Sequence, residues 1–220
     1  MKKAIVLLSG GLDSATTLFF ACSKGYKVRC LIFDYGQRHK IEITKAISIC
    51  KRIKVSFKMV KLELPWLKSS LVNKKKKLPI TNYQLPVTVP STYVSARNTI
   101  FLSCALSWAE AVKAEAVFIG ANSVDYSGYP DCRPEYFKAF RKMADRATKS
   151  AVEGRRIKIL APLIFKSKAG IIKLGVKLKV PYHLTWSCYK GGKYPCQRCD
   201  SCILRAKGFR QAGLKDPIYD

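Results

Sequence analysis

Long apolar runs are missing from this sequence, and no stretch approaches the length of a membrane span. The first twenty residues carry Lys2 and Lys3, but the apolar run Ala4 to Leu8 is cut by Ser9-Gly10-Gly11 and Asp13, so it does not read as a signal peptide. A cytoplasmic setting with reduced thiols is the expectation. Histidine is nearly absent. His39 and His183 are the only two, which leaves little choice for a general base. Acidic residues are scarce: 14 Asp and Glu stand against 41 Lys and Arg, for a net charge of +27. The excess invites a nucleic-acid reading. The lysines are spread along the chain, however, with Lys74-Lys75-Lys76-Lys77 the one cluster. No RNA-binding signature accompanies them, so a basic surface that attracts anionic substrates is favoured over a dedicated RNA face. Internal repeats are absent, as are the G-x-G-x-x-G and G-x-x-x-x-G-K-[ST] phosphate fingerprints.

What is present begins at Ser9-Gly10-Gly11-Leu12-Asp13-Ser14. An apolar run closed by a glycine turn reads as a buried parallel strand. The residues from Ala15 to Cys22 read as a helix. Strand, glycine turn and helix together aim backbone N–H groups and a positive helix end at one point, a place for a phosphate. Gly10 and Gly11 let the backbone close on it. Ser9 and Ser14 offer hydroxyls, and Asp13 either caps the helix or holds Mg²⁺. The loop resembles the pyrophosphate loop of the N-type ATP pyrophosphatases, which cleave ATP between its α- and β-phosphates.

Further strands are expected at Lys27–Phe33, Val55–Val60, Ala116–Gly120 and Ile157–Leu160. Helices are expected at His39–Arg52, Ala96–Val112, Pro134–Lys149 and Lys168–Leu178. This alternation argues for an α/β fold with a doubly wound, mostly parallel sheet. Ligands bind beyond the carboxyl ends of such strands, where Asp13, Asp34 and Asn122 can converge. The proline-bearing stretch 64–91 is long for a loop. Arg97 can pair with a phosphate, and Asn98 orients a ligand or caps a helix. His39 opens a helix beside Asp34 and is the better base candidate. His183 is expected to pack near the cysteine loop.

Cys188, Cys196, Cys199 and Cys202 are spaced C-x7-C-x2-C-x2-C. Four thiolates at these gaps suit a closed, tetrahedral structural zinc site, with an iron–sulfur cluster as the minor alternative. Cys22, Cys30, Cys50 and Cys104 read as small core residues. Between Gly120 and Pro134 lies a loop rich in aromatics, with Asp125, Asp131 and Arg133. It suits a planar heterocycle bearing a carboxylate, or else is a turn without a ligand.

Taken end to end, the chain resembles the 7-cyano-7-deazaguanine synthase family of queuosine biosynthesis. The resemblance is carried by Phe33 to His39, by Asp125 to Glu135, and by Thr185-Trp186-Ser187-Cys188-Tyr189 with the cysteines that follow. Ser95 and Gly170 depart from the family pattern. The resemblance implies an adenine-nucleotide α-hydrolase-like domain over 1–180 and a small Cys₄ zinc-binding subdomain over 181–220. It implies ATP at Leu8, Ser9, Gly10, Gly11, Leu12, Asp13, Ser14, Ala15, Thr16, Thr17 and Leu18. It implies one Zn²⁺ on Cys188, Cys196, Cys199 and Cys202, with Mg²⁺ at the phosphates. The reaction implied turns 7-carboxy-7-deazaguanine, ammonia and ATP into 7-cyano-7-deazaguanine through an acyl-adenylate and an amide. Asp13, Arg97, Lys168 and His39 are the catalytic candidates, and Asp125, Tyr126, Asp131 and Arg133 the substrate-binding ones. No separate glutaminase domain is expected, so free ammonia is the nitrogen source. A homodimer is the default assembly. The rivals are a tRNA-modifying ATP pyrophosphatase of thiolation or lysidine type, an RNA-holding zinc module and an amide synthetase for another acid.

Overall fold

The computed structural model describes residues 1–73, 75–78, 89–124 and 128–219. Strands β1 (Lys3–Leu7), β2 (Lys27–Asp34), β3 (Ser56–Lys61), β4 (Ala116–Phe118) and β5 (Lys158–Leu160) form one parallel sheet in the order β3-β2-β1-β4-β5. The chain runs outward from β1 to β3 and then returns to place β4 on the other side of β1. The reversal opens a crevice beyond the carboxyl ends of β1 and β4, where ligands of such sheets bind.

Helices cover both faces. On one side lie α1 (Leu12–Ser23), α2 (Ile41–Arg52), α6 (Lys168–Lys177) and α7 (Asp200–Ala212), and on the other α3 (Arg97–Ala111) and α4 (Pro134–Ala147). The short α5 (Lys149–Val152) follows α4. Successive residues of β1 therefore point into different cores. Ala4, Val6 and Leu8 meet Leu18, Ile49, Phe118 and Ile172, while Ile5 and Leu7 meet Leu102, Val117 and Phe137. Burial on both faces is why the strand reads as a continuous apolar run.

The observed strands and helices lie within a few residues of expectation, with three differences. The first helix begins at Leu12, three residues early, because Gly11 already serves as its N-cap. The expected helix 134–149 breaks at Thr148, whose backbone is extended and whose Oγ1 donates to Ala144 O at 3.0 Å. Helix α7 was not anticipated, since its buried face includes Arg205 and hides the apolar period. Its Phe209 joins the core and meets Tyr182 edge-on at 5.6 Å. Cys22 is exposed rather than in the core, and His183 is exposed rather than packed. Among the described residues no helix is long and apolar enough to cross a membrane.

Candidate active site

The turn after β1 is built so that only glycine fits at its apex. Gly10 has φ of +84°, and a Cβ there would strike the Glu42 carbonyl oxygen and stand 2.9 Å from Ala46 N. The phosphate loop thus rests directly on the first turns of α2. Ser14 Oγ accepts from Ser9 N at 3.2 Å and donates to Gly11 O at 3.0 Å, while Gly11 N donates to Ser9 Oγ at 3.3 Å. No side chain caps α1, so the N–H groups of its first turn are left for an anion. Gly120, just past β4, lies so close that a Cβ would stand 2.8 Å from Ser14 N.

Asp13 lies in the first turn of α1 and does not cap it. Its two oxygens accept from Lys168 Nζ, the first residue of α6, at 2.9 and 2.7 Å. Lys168 is wedged in turn, because a Cβ on Gly208 of α7 would meet its stem. One cation is thereby held at the helix end where phosphate charge would collect.

Next to the loop opens a cleft of about 340 Å³. Leu8, Ser9, Gly11, Leu12, Asp13 and Ser14 line it, together with Arg97, Lys168, His39 and Asn122. Gly10 lies beneath, and Ala15 to Leu18 are buried behind the loop, where Thr16 Oγ1 meets Tyr182 Oη at 2.9 Å. Asp13, Arg97, Lys168 and His39 thus line one cleft, and of the three residues expected to converge at the strand ends, Asp13 and Asn122 do. Asp34 does not join them; its carboxylate pairs with Lys40 at 2.7 Å, which lowers its pKa.

Arg97 enters from the start of α3. Its guanidinium donates to Tyr35 Oη at 3.2 Å and lies 5.7 Å from the Tyr35 ring centre and 6.0 Å from that of Phe101. Asn98, next in line, is buried and does not cap the helix with its own side chain. Its backbone N donates to Asp131 Oδ2 at 3.0 Å and its Nδ2 to the Asp131 carbonyl at the same distance. Asp131 is thus a buried anchor for α3 and lies outside the cleft lining, and Arg133 is exposed. Asp125 and Tyr126 lie outside the described residues.

Among the cleft residues that the sequence did not single out as site residues are Tyr35, Glu42, Tyr129, Trp186 and Tyr189. Tyr35 sits inside a motif already singled out, and its neighbours gave the available signal. Burial pushes the Glu42 carboxyl up to about 7, against the pull of Arg97 and of the Gln37 side-chain N–H. Trp186 N donates to Gly10 O at 2.9 Å and so ties the C-terminal part to the phosphate loop.

The four spaced cysteines do come together. Their sulfurs lie within 4.8 Å of one another, and tetrahedral zinc at ~2.3 Å from sulfur needs ~3.8 Å between them. Backbone N–H groups of Lys190 and Cys196 point at Cys188 Sγ at 3.4 and 3.3 Å, and that of Cys199 at Cys196 Sγ at 3.4 Å. Such donors favour thiolates, so the set fits the metal. His39 packs against Gly191 of this loop, where a Cβ would collide with its ring, and burial lowers its pKa. Beneath, Arg205 and Asp216 form a buried pair at 2.6 and 2.9 Å, with further bonds from Arg205 to Thr185 Oγ1 at 2.8 Å and Tyr182 O at 3.1 Å.

A glycine turn between strand and helix at the switch point of a parallel sheet, flanked by an ion-paired lysine, is the architecture of a PP-loop fold. A solved structure described as NMN synthetase from Francisella tularensis shares the fold, with a TM-score of 0.52 over 97% of this chain and 78% of that one at 14% identity. The particular assignment follows from sequence. The chain belongs to the family described as queuosine biosynthesis protein QueC, whose model matches residues 3–213. Proteins named 7-cyano-7-deazaguanine synthase from Thermoplasma volcanium and Acetivibrio thermocellus are 50% and 51% identical to it. Each alignment covers 99% of this chain, with 90% and 97% of the respective relative.

Proposed function

We infer that the chain is an ATP-dependent synthase that converts 7-carboxy-7-deazaguanine and ammonia to 7-cyano-7-deazaguanine. The observation that carries this reading is half identity, sustained over nearly the whole chain, to synthases of that name. The cleft supplies the chemistry. A carboxylate is a poor electrophile and needs activation. The uncapped start of α1 suits the triphosphate of ATP, with Lys168 against the charge that grows on the leaving pyrophosphate; Mg²⁺, which Asp13 would hold, would add counter-charge there. Attack of the substrate carboxylate on the α-phosphorus gives an acyl-adenylate. Ammonia displaces AMP to give the amide. A second ATP activates the amide oxygen, and loss of AMP yields the nitrile. Arg97 is the counter-charge for the incoming acid, since its only hydrogen bond among the described residues goes to a phenol. The aromatic walls from Tyr35, Phe101 and Trp186 suit a flat heterocycle.

Cys188, Cys196, Cys199 and Cys202 would hold zinc, which would supply a structural crosslink for the 181–220 subdomain rather than reactive chemistry. Such a thiolate set needs reduced thiols, which supports a cytoplasmic location. The tRNA-thiolating alternative is not favoured. Cys132 is the cysteine that reaches the cleft, and burial pushes its thiol up to about 12, so it is protonated and a weak nucleophile. The test is mass spectrometry of purified protein given 7-carboxy-7-deazaguanine, ATP, Mg²⁺ and ammonium. Nitrile product, preceded by amide, is the expected result. No turnover, or turnover with glutamine alone, would overturn it.

A further inference from the structure

The route from acid to nitrile must strip protons from nitrogen. When ammonia attacks the acyl-adenylate, the C–N bond forms and the C–O bond to AMP breaks. Its electron pair leaves on the phosphate, and the nitrogen sheds one proton. When the activated amide collapses, the second AMP departs in the same way and the nitrogen sheds its remaining protons as C≡N forms. Adenylation itself moves no proton from nitrogen. A base is therefore needed in the nitrogen steps and not in the first.

The cleft offers few groups for this. His39 lines it too, but its ring is packed against Gly191 of the thiol loop. Both oxygens of Asp13 are taken by Lys168. Asp131 is spent on the backbone of Asn98 and does not line the cleft. The Cys132 thiol and the Tyr35 phenol are both raised by burial and stay protonated. Glu42 is different. It lines the cleft from the first turn of α2 and has no carboxylate–cation pair among the described residues. Its one hydrogen bond there is from Gln37 Nε2 at 3.3 Å. Its own carbonyl stands against Gly10, which fixes the residue beside the glycine loop.

We propose that Glu42 is the proton acceptor of the nitrogen steps, taking the proton first from the ammonia-derived nitrogen as the amide forms and then from the imidate nitrogen as the nitrile forms. Between events it passes each proton to water. The inference rests on the synthase reading above. The groups that face the carboxyl are Gln37 from the turn after β2, Arg97 from α3 and the Tyr35 phenol. A carboxyl raised toward neutrality by burial is matched to base work near neutral pH.

The experiment compares the zinc-loaded wild type with Glu42→Gln and Glu42→Asp. Two readouts are needed: ATP–pyrophosphate exchange that depends on 7-carboxy-7-deazaguanine, and nitrile formation from either the acid or the amide. For Glu42→Gln the exchange should stay within about threefold, while nitrile formation falls roughly 10²-fold or more. The acid limb of the wild-type kcat/KM profile for the amide should vanish with it. Glu42→Asp, which keeps the charge but draws it back by one methylene, should keep the exchange and the limb and lose part of the rate. Unchanged turnover and an unchanged acid limb in Glu42→Gln would overturn the proposal. So would loss of the exchange with a raised KM for the acid in both variants, which would make Glu42 a substrate-recognition residue. A wild type that yields no exchange and no nitrile would instead sink the synthase reading, and this role with it.

Discussion

Lys168 Nζ sits 2.9 and 2.7 Å from the two oxygens of Asp13, so the first residue of α6 and the first turn of α1 are tied together at the phosphate loop. The lysine is thereby aimed before any ligand arrives. Lys168→Met should cut substrate-dependent ATP–pyrophosphate exchange by roughly 10²-fold, the usual cost of losing one donor to developing charge. Asp13→Asn should cut it less, since the cation remains but is no longer held. Equal exchange in wild type and Lys168→Met would count against this role.

Gly10→Ala should destabilise the fold by about 2 kcal/mol or more, because it combines a left-handed backbone with a collision against α2. Urea titration reads the cost as a lower midpoint at an unchanged slope. Gly25→Ala is the control: it shares a positive φ of +78° but would meet nothing, and should cost less.

Metal analysis should find one zinc per chain, lost together with stability in Cys196→Ser. Trp186 is the reporter, because it is buried and its Nε1 donates to Cys188 O at 3.0 Å. In a Trp66→Phe, Trp108→Phe background, removing zinc with a chelator should shift the emission to the red. An unmoved spectrum would show that the thiol loop holds its shape without metal.

Stability should depend on pH through Glu42, with the opposite sign to an ordinary paired carboxylate. Its folded pKa of about 7 lies above the usual 4.5. Between those values the folded chain keeps a proton that the unfolded chain has released. Stability therefore falls as pH rises through the window, and is flat in this respect below and above it. Glu42→Gln should gain in Tm relative to wild type from pH 4.5 to 7. A constant difference would put the carboxyl in water.

Asp216→Asn should cost about 3–5 kcal/mol, since it leaves the Arg205 charge buried without its partner. Both side chains are nearly sealed, at 4% and 6% exposure. Thermal unfolding checks it, and loss of zinc from the variant would show that the pair also supports the thiol loop.

The parts of this molecule that were legible in the sequence are those whose chemistry is local. Ser9 to Ser14 declares itself because a glycine turn between strand and helix needs no distant partner, and Cys188 to Cys202 because four thiols close on one point. The sheet was legible for the same reason at β1 and β4, which are unbroken apolar runs past Lys3, and less plainly at β2, which Arg29 interrupts, and at the exposed edge strand β3. Convergence was not. Glu42 reads as an ordinary acidic residue in a first helical turn until Gly10 is seen resting on its carbonyl. Asp131 reads as a ligand-binding carboxylate until its bond to Asn98 N is seen. Helix α7 was hidden by Arg205, whose burial makes sense only with Asp216 opposite.

The bond from Trp186 N to Gly10 O joins two stretches that are far apart in the chain. The glycine turn is pinned by a backbone group two residues before the first of the four spaced cysteines. A displacement of the thiol loop is therefore carried along the backbone to Gly10, so the shape of one loop sets the play left in the other.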